Sequence, residues 1–220
     1  MSFSVYAFDA YGTLFDVHAA VRRHADAVGP DAGRLSDIWR AKQLEYTWVR
    51  TLTGRYRDFW GLTEDALDFA FAAVPSADRS TRRDLLDAYR SLDCYPEVPG
   101  ILKALKADGK RLAILSNGTP NMLADAVAAA GLDGLFDAVI SADALKVYKT
   151  DPRVYTLLCE QLGVTAKDVS FQSSNRWDIA GATAFGFRTA WINRTGQPDE
   201  YPDLPPQTVL PSLEGLVGGA

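Results

Sequence analysis

The stretch VYAFDAYGTLFD, at residues 5–16, decides the fold of this chain. It begins as an apolar run that ends at Phe8, and the run breaks at Asp9 ahead of the turn residues Gly12 and Thr13. Such a pattern is typical of a buried parallel strand that leaves its sheet at the carboxyl end. Open α/β sheets bind ligands at that edge. We therefore predict that Asp9 projects into a ligand-binding crevice, the alternative being a solvated loop aspartate.

The composition indicates a globular protein of the reducing cytoplasm. The chain has 220 residues, of which 47% are apolar, so it can bury a sizeable core. Its formal net charge of −5 is mild, and no basic run points to nucleic acid. The first apolar run is too short to be a signal peptide or a membrane span. Cys94 and Cys159 are isolated, which excludes a disulfide framework and a structural zinc site.

The periodicity of apolar residues predicts an α/β fold. Helical spacing dominates from residue 17 to about 92, with Thr63 as a candidate N-cap. Helices then alternate with strands, which is typical of right-handed βαβ units and a parallel sheet. We predict a Rossmann-like core (residues 1–15 and 96–220) with a helical cap subdomain inserted after the first strand (16–95). The predicted helices are 17–28, 35–52, 63–74, 79–92, 101–108, 121–130, 152–162 and 177–185; the later strands are 111–115, 138–141, 169–172 and 188–192. Residues 195–211 are predicted to be a loop, followed by a short helix at 213–217.

Two further patterns hold candidate ligand-binding residues. Ser116 and Asn117 follow a predicted strand, where free N–H groups suit an anion, although an ordinary turn capping the next helix is the alternative. Arg40, Leu44 and Trp48 share one face of a predicted helix. An arginine on an apolar face is either a snorkelling side chain or a ligand-binding group.

The Asp9-x-x-Gly12-Thr13 pattern resembles motif I of the haloacid dehalogenase superfamily, in which the first aspartate is a covalent nucleophile. Phosphatase members carry a second, proton-donating aspartate two residues later, where this chain has Tyr11. The string resembles the L-2-haloacid dehalogenase branch, in which a halide leaves without needing a proton.

A second motif extends the resemblance. Phosphatases usually read Gly-Asp-Ser-x-x-Asp where this chain reads SSNRWD at residues 173–178, so Ser174 replaces a carboxylate. Mg²⁺ needs such oxygen ligands, and the resemblance therefore implies no metal and no cofactor. Arg176 departs from the motif and has no predicted role. Lys149, preferred over Lys146, has the family spacing to Tyr155, although Thr150 stands where proline is usual; a solvated lysine is the alternative.

The resemblance implies hydrolytic dehalogenation of (S)-2-haloalkanoic acids to (R)-2-hydroxyalkanoic acids through an ester on the nucleophile. Its substrates would be a small 2-haloacid and water, and it implies a homodimer. The roles it implies are catalytic for Asp9, Thr13, Lys149, Tyr155, Ser173, Asn175 and Asp178; halide-binding for Arg40, Asn117 and Phe59; and substrate-binding for Tyr11, Leu44, Ser116 and Trp177. Two alternatives are a magnesium-dependent phosphatase of the same superfamily and a non-catalytic binding protein on this fold.

Overall fold

The computed structural model, which describes residues 3–217, contains a six-stranded parallel sheet of order β3-β2-β1-β4-β5-β6. The strands are β1 (Val5–Phe8), β2 (Arg111–Ser116), β3 (Ala138–Ser141), β4 (Val169–Ser173), β5 (Arg188–Ile192) and β6 (Thr208–Leu210). Phe8 at the end of β1 is in register with Ile114 on one side and with Gln172 on the other. The segments that follow β1, β2 and β4 therefore leave the sheet together, at the edge where ligands bind.

Nine α-helices cover the sheet and its first crossover within the described residues. Six lie between β1 and β2: α1 (Ala19–Arg23), α2 (Ala25–Val28), α3 (Ala32–Thr53), α4 (Phe59–Ala73), α5 (Arg82–Arg90) and α6 (Val98–Ala107). The other three connect the later strands: α7 (Pro120–Ala129), α8 (Pro152–Leu162) and α9 (Arg176–Phe185). This is the predicted α/β class, with a helical segment after the first strand.

The structure corrects four local predictions. The helix predicted at 17–28 is broken at His24 into α1 and α2, and the segment from residue 79 begins with a 3₁₀ turn before α5 starts. The tail predicted as a loop contains β6, which pairs with β5. The N-cap of α4 is Asp58, whose carboxylate accepts a hydrogen bond from the Gly61 amide at 2.7 Å. Thr63 is instead inside that helix, where its hydroxyl bonds the Phe59 carbonyl at 2.7 Å.

The hydrophobic core lies on both faces of the sheet. One cluster, which includes Val5 and Phe171, packs β1 and β4 against α8 and α9. The larger cluster runs from Phe8 through Phe15 into the helices between β1 and β2, so these helices share a core with the sheet. Domain boundaries at residues 16 and 95 stay a prediction. Within residues 3–217 no helix combines the length and apolar character needed to cross a membrane.

Candidate active site

Asp9 lies directly after β1, and its amide still bonds the Gln172 carbonyl at 2.9 Å. Its side chain is buried, and four neighbours donate to it. Oδ2 accepts from Asn175 Nδ2 at 2.8 Å, from Thr13 Oγ1 at 3.1 Å and from Ser173 Oγ at 3.4 Å. Oδ1 accepts from a lysine ammonium. These donors hold the carboxylate in one orientation at the carboxyl edge of the sheet.

That lysine is Lys149, whose side chain is fully buried. Its Nζ lies 3.0 Å from Asp9 Oδ1 and 2.8 Å from Asp178 Oδ2, so one ammonium bridges two carboxylates. Burial lowers the pKa of Lys149, but the charges of Asp178 and Asp9 outweigh it and raise the pKa above its ordinary value. Lys149 is therefore a permanent cation here. Lys146 is instead on the surface, paired with Asp143 at 2.8 Å.

Asp178 is in the first turn of α9 and is completely buried. Tyr155 donates its hydroxyl to Asp178 Oδ1 at 2.9 Å, and Lys149 occupies the other oxygen. Burial raises the pKa of Asp178 above that of an ordinary carboxyl group, with the Lys149 charge acting in the opposite direction. A carboxylate with a raised pKa and fixed orientation is suited to accept a proton.

The loops after β1 and β4 hold one another. Thr13 Oγ1 accepts a hydrogen bond from the Ser174 amide at 2.8 Å, and Ser173 Oγ accepts one from the Asn175 amide at 3.1 Å. Thr13 can thus donate to Asp9 while accepting from the loop after β4, whereas Ser173 donates to Asp9 while accepting from its own loop. Gly12 has φ of 93°, a left-handed conformation that favours glycine in this turn.

Arg40 approaches the same centre from α3. Its Nη2 lies 3.1 Å from the Tyr11 carbonyl and 3.3 Å from Asn175 Oδ1, and its Nη1 bonds Gln43 Oε1 at 2.8 Å. Gln43 is itself held by Tyr89, whose hydroxyl lies 3.1 Å from Gln43 Nε2. The guanidinium is therefore fixed beside the site and is not a snorkelling surface group. The sequence patterns predict no role for Gln43 or Tyr89. The one available signal is that Gln43 lies three residues after Arg40 on the same helix.

Aromatic rings form the apolar side. Tyr11 is buried, with its ring centre 6.0 Å from that of Phe59 and 5.7 Å from that of Tyr89. Burial raises the pKa of Tyr11 well above its usual value, so the phenol stays neutral. Gly118 permits this packing, because a Cβ there would lie 2.7 Å from the Tyr11 ring.

The remaining predicted residues divide between two sides of the centre. Asn117 Oδ1 accepts from the Lys149 amide at 2.9 Å, and Ser116 Oγ accepts from the Gly118 amide at 3.1 Å. Among residues 3–217 no hydrogen bond joins Asn117 to Arg40, two of the residues that are predicted to bind the halide. On the other side, Leu44 and Trp177 line a cavity of about 440 Å³ together with Arg40 and Asn175.

The described part of the chain contains no group of three or more His, Cys, Asp or Glu residues placed to hold a metal ion. The buried carboxylates of Asp9 and Asp178 both bind the Lys149 ammonium. Positions 11 and 174, where phosphatases carry carboxylates, are Tyr and Ser in this chain. Metal independence stays a prediction.

Comparison with known proteins defines the class. The sequence profile of the haloacid dehalogenase-like hydrolases matches residues 3–186. The chain belongs to the haloacid dehalogenase-like hydrolase family. Within it, the chain is 51% identical over 210 residues to (S)-2-haloacid dehalogenase 1 of Pseudomonas sp. (strain CBS-3), covering 95% of this chain and 92% of that protein.

Solved structures agree with this placement. A crystal structure of a dehalogenase with intermediate complex matches at a TM-score of 0.95 and 48% identity, covering 98% of this chain and 96% of the other. The L-2-haloacid dehalogenase from Xanthobacter autotrophicus with chloropropionic acid covalently bound matches at a TM-score of 0.88 and 38% identity, covering 98% and 97%.

Proposed function

We propose that this protein hydrolyses (S)-2-haloalkanoic acids to (R)-2-hydroxyalkanoic acids through an ester on Asp9, without a metal or another cofactor. The observation that carries the proposal is the buried carboxylate at the end of β1, held by four donors and bridged through Lys149 to Asp178. The relatives named above support the same chemistry.

In the first step an Asp9 oxygen attacks C2 of the substrate and the carbon–halogen bond breaks with inversion. The halide keeps the electron pair of that bond, so no proton donor is needed, which fits a tyrosine at position 11. The Arg40 guanidinium stabilises the departing anion, because a cation that is already held in position needs no reorganisation during the reaction. Asn117 and Phe59 would complete the halide site, and Ser116 with nearby amides would hold the substrate carboxylate.

In the second step water attacks the carbonyl carbon of the Asp9 ester. Asp178 accepts the proton of that water, and Asn175 orients it. Lys149, 3.0 Å from Asp9 Oδ1, stabilises the negative charge that develops on this carboxyl group. The ester bond to Asp9 then breaks, and the product leaves as a hydroxy acid after taking a proton. Asp9 is regenerated with one oxygen from water, and the only inversion at C2 is that of the first step.

Replacing Asp178 with Asn should separate the two steps. The variant keeps the nucleophile but lacks the base, so we expect about one chloride per protein molecule and then almost no turnover. Mass spectrometry of the peptide containing Asp9 should detect the trapped ester. Asp108→Asn, an exposed aspartate at the end of α6, is the matched control and should turn over normally. Steady turnover by Asp178→Asn would remove Asp178 from the base role.

The phosphatase alternative is not favoured. A phosphoryl leaving group needs a proton donor, and Tyr11 is a buried neutral phenol that packs against aromatic rings. Ser174 also lacks the carboxylate that a magnesium site would require. Burying two carboxylates and a lysine together costs desolvation free energy. Catalysis gives a reason for this arrangement, and the binding-protein alternative gives none.

Chloride release from the two enantiomers of 2-chloropropionate, measured with EDTA present, tests the proposed function. We expect release from the (S) enantiomer only, with (R)-lactate as the product and no loss of rate in EDTA. Phosphate release from esters in magnesium, with no chloride release, would support the phosphatase instead. Inactivity in both assays would favour the binding protein.

Two further properties belong to the proposal. The isolated cysteines and the absence of a basic region favour a cytoplasmic protein that binds neither nucleic acid nor a membrane. The family resemblance favours a homodimer. Light scattering on the purified protein distinguishes a dimer from a monomer.

A further inference from the structure

Arg176 is the first residue of α9, between Asn175 and Trp177, and the reaction leaves it without a role. An arginine at this end of a helix is unfavourable for the helix dipole and is normally exposed. Here its exposed fraction is only 4%. A buried arginine needs partners that offset its desolvation.

The hydrogen-bond partners of Arg176 that the structure shows lie in one irregular stretch near the carboxyl end, at residues 197–204, which we name the wall segment. Nε donates to Asp199 Oδ1 at 2.5 Å. Nη2 donates to the Tyr201 carbonyl at 3.1 Å, to the Leu204 carbonyl at 3.0 Å and to the Glu200 carbonyl. The planar guanidinium fork can bind several oxygens at once, which a lysine ammonium on a flexible stem does less well.

The wall segment depends on these contacts for its shape. Tyr201 has φ of 52°, a left-handed conformation that is unfavourable for a residue with a side chain. Its carbonyl is bound by Arg176, and the Arg176 Cζ lies 5.5 Å from the centre of the Tyr201 ring. Asp199 is 54% exposed, so the ion pair alone contributes little. The contacts of Arg176 with the backbone carbonyls add to the hydrogen bond from the Leu204 amide to the Tyr201 carbonyl at 2.9 Å and to those between Asn193 and Gln197.

Residues of the wall segment line two cavities that share Trp177. Gln197, Pro198 and Glu200 line the 440 Å³ cavity that also contains Arg40, Leu44 and Asn175. Tyr201 and Leu204 line a second, more apolar cavity of about 700 Å³ with Trp48 and Trp177. The Trp48 and Trp177 rings touch edge to face, with centres 5.6 Å apart. The wall segment is thus the outer boundary on both sides of Trp177, a predicted substrate-binding residue.

We propose that Arg176 is a positioning residue that fixes the wall segment behind Trp177 and thereby limits the size of the alkyl group that the substrate carries on C2. This inference rests on the proposed function for the identity of the substrate. Arg176 touches no reacting atom, and its removal leaves the contacts of Asp9, Lys149 and Asp178 in place.

The test compares kcat/KM for (S)-2-chlorobutanoate and (S)-2-chloropropionate in the wild type and in Arg176→Ala. One methylene in an apolar pocket changes kcat/KM by about tenfold or more. We therefore expect the butanoate-to-propionate ratio to rise about tenfold, while kcat for 2-chloropropionate stays within about twofold. Arg176→Lys should shift the ratio in the same direction, because the charge without the fork cannot hold the segment.

Controls separate positioning from general stability. Arg153→Ala removes an exposed arginine that pairs with Asp151, and its ratio should equal that of the wild type. Leu204→Ala shortens the side chain that lines the cavity but keeps the backbone carbonyl that Arg176 binds, and it should raise the ratio even if Arg176→Ala fails to fold. An equal loss on both substrates with a lower melting temperature, or an unchanged ratio, would overturn the proposal.

The result stays informative if the wild type turns over neither substrate. Calorimetric binding of butanoate and propionate, which cannot react, then replaces kcat/KM. A rise of the butanoate-to-propionate affinity ratio in Arg176→Ala would support the wall segment while the proposed function fails. An unchanged affinity ratio would overturn the wall segment as well.

Discussion

Replacing Asp9 with Asn is expected to lower kcat/KM for (S)-2-chloropropionate by about 10⁴-fold or more, since losing a nucleophile removes the covalent route. The amide has nearly the shape of the carboxylate but is a much weaker nucleophile. Asn175 and Lys149 remain in place around it, so the fold should be kept. Chloride release under steady-state conditions measures the loss, and circular dichroism checks the fold.

Asp16→Asn is the matched control for this variant. Asp16 belongs to the same decisive stretch, but it binds the His18 amide at 3.0 Å and the exposed Arg22 at 2.8 Å. Its replacement should leave kcat/KM within about twofold of the wild type. A folded Asp9→Asn variant with near wild-type turnover would show that Asp9 is not the nucleophile.

Replacing Lys149 with Met is expected to damage both stability and activity. The variant leaves two buried carboxylates without their shared cation, and breaking a buried pair costs about 3–5 kcal/mol of the free energy of unfolding. We also expect kcat to fall by about 10²–10³-fold, the usual effect of losing one stabilising group for a developing oxyanion. Urea unfolding and chloride release measure the two effects.

The stability loss in Lys149→Met should depend on pH in a defined direction. Without the ammonium, burial raises the pKa of the carboxyl group at Asp178 even further, so the folded variant binds a proton that the unfolded chain releases above about pH 4. Its stability therefore falls as the pH rises and recovers as the pH is lowered. Lys146→Met, which breaks the surface pair with Asp143 and the contact of the ammonium with the Tyr56 ring, should cost at most about 1 kcal/mol at any pH. Equal losses in the two variants would contradict the bridging role of Lys149.

The sheet and the acidic centre could be predicted because both follow from patterns local to single strands. Asp9, Ser116 and Ser173 each end or follow a buried strand, and parallel strands bring such positions to one edge. The choice of Lys149 over Lys146 rested on family spacing alone. Its physical reason, burial between two carboxylates from distant strands and helices, is visible only in three dimensions.

Other features depend on contacts that no local pattern encodes. Gln43 is held by Tyr89 across 46 positions of sequence, and neither residue belongs to the motifs. The start of α4 is predicted too late, because Thr63 followed by the acidic Glu64 and Asp65 resembles a cap with an acidic first turn, whereas the cap is Asp58. Strand β6 is short, within a segment rich in proline, and exists because β5 offers it an open edge.

The most direct measurement is a single turnover of (S)-2-chloropropionate in H₂¹⁸O with the protein in excess over substrate. If water attacks the Asp9 ester, the lactate formed carries no ¹⁸O from the solvent, and peptide mass spectrometry finds the label in the Asp9 carboxylate. If water attacks C2 directly, the label appears in the lactate of this first turnover and Asp9 stays unlabelled. The first result is the one expected; the second would contradict covalent catalysis by Asp9.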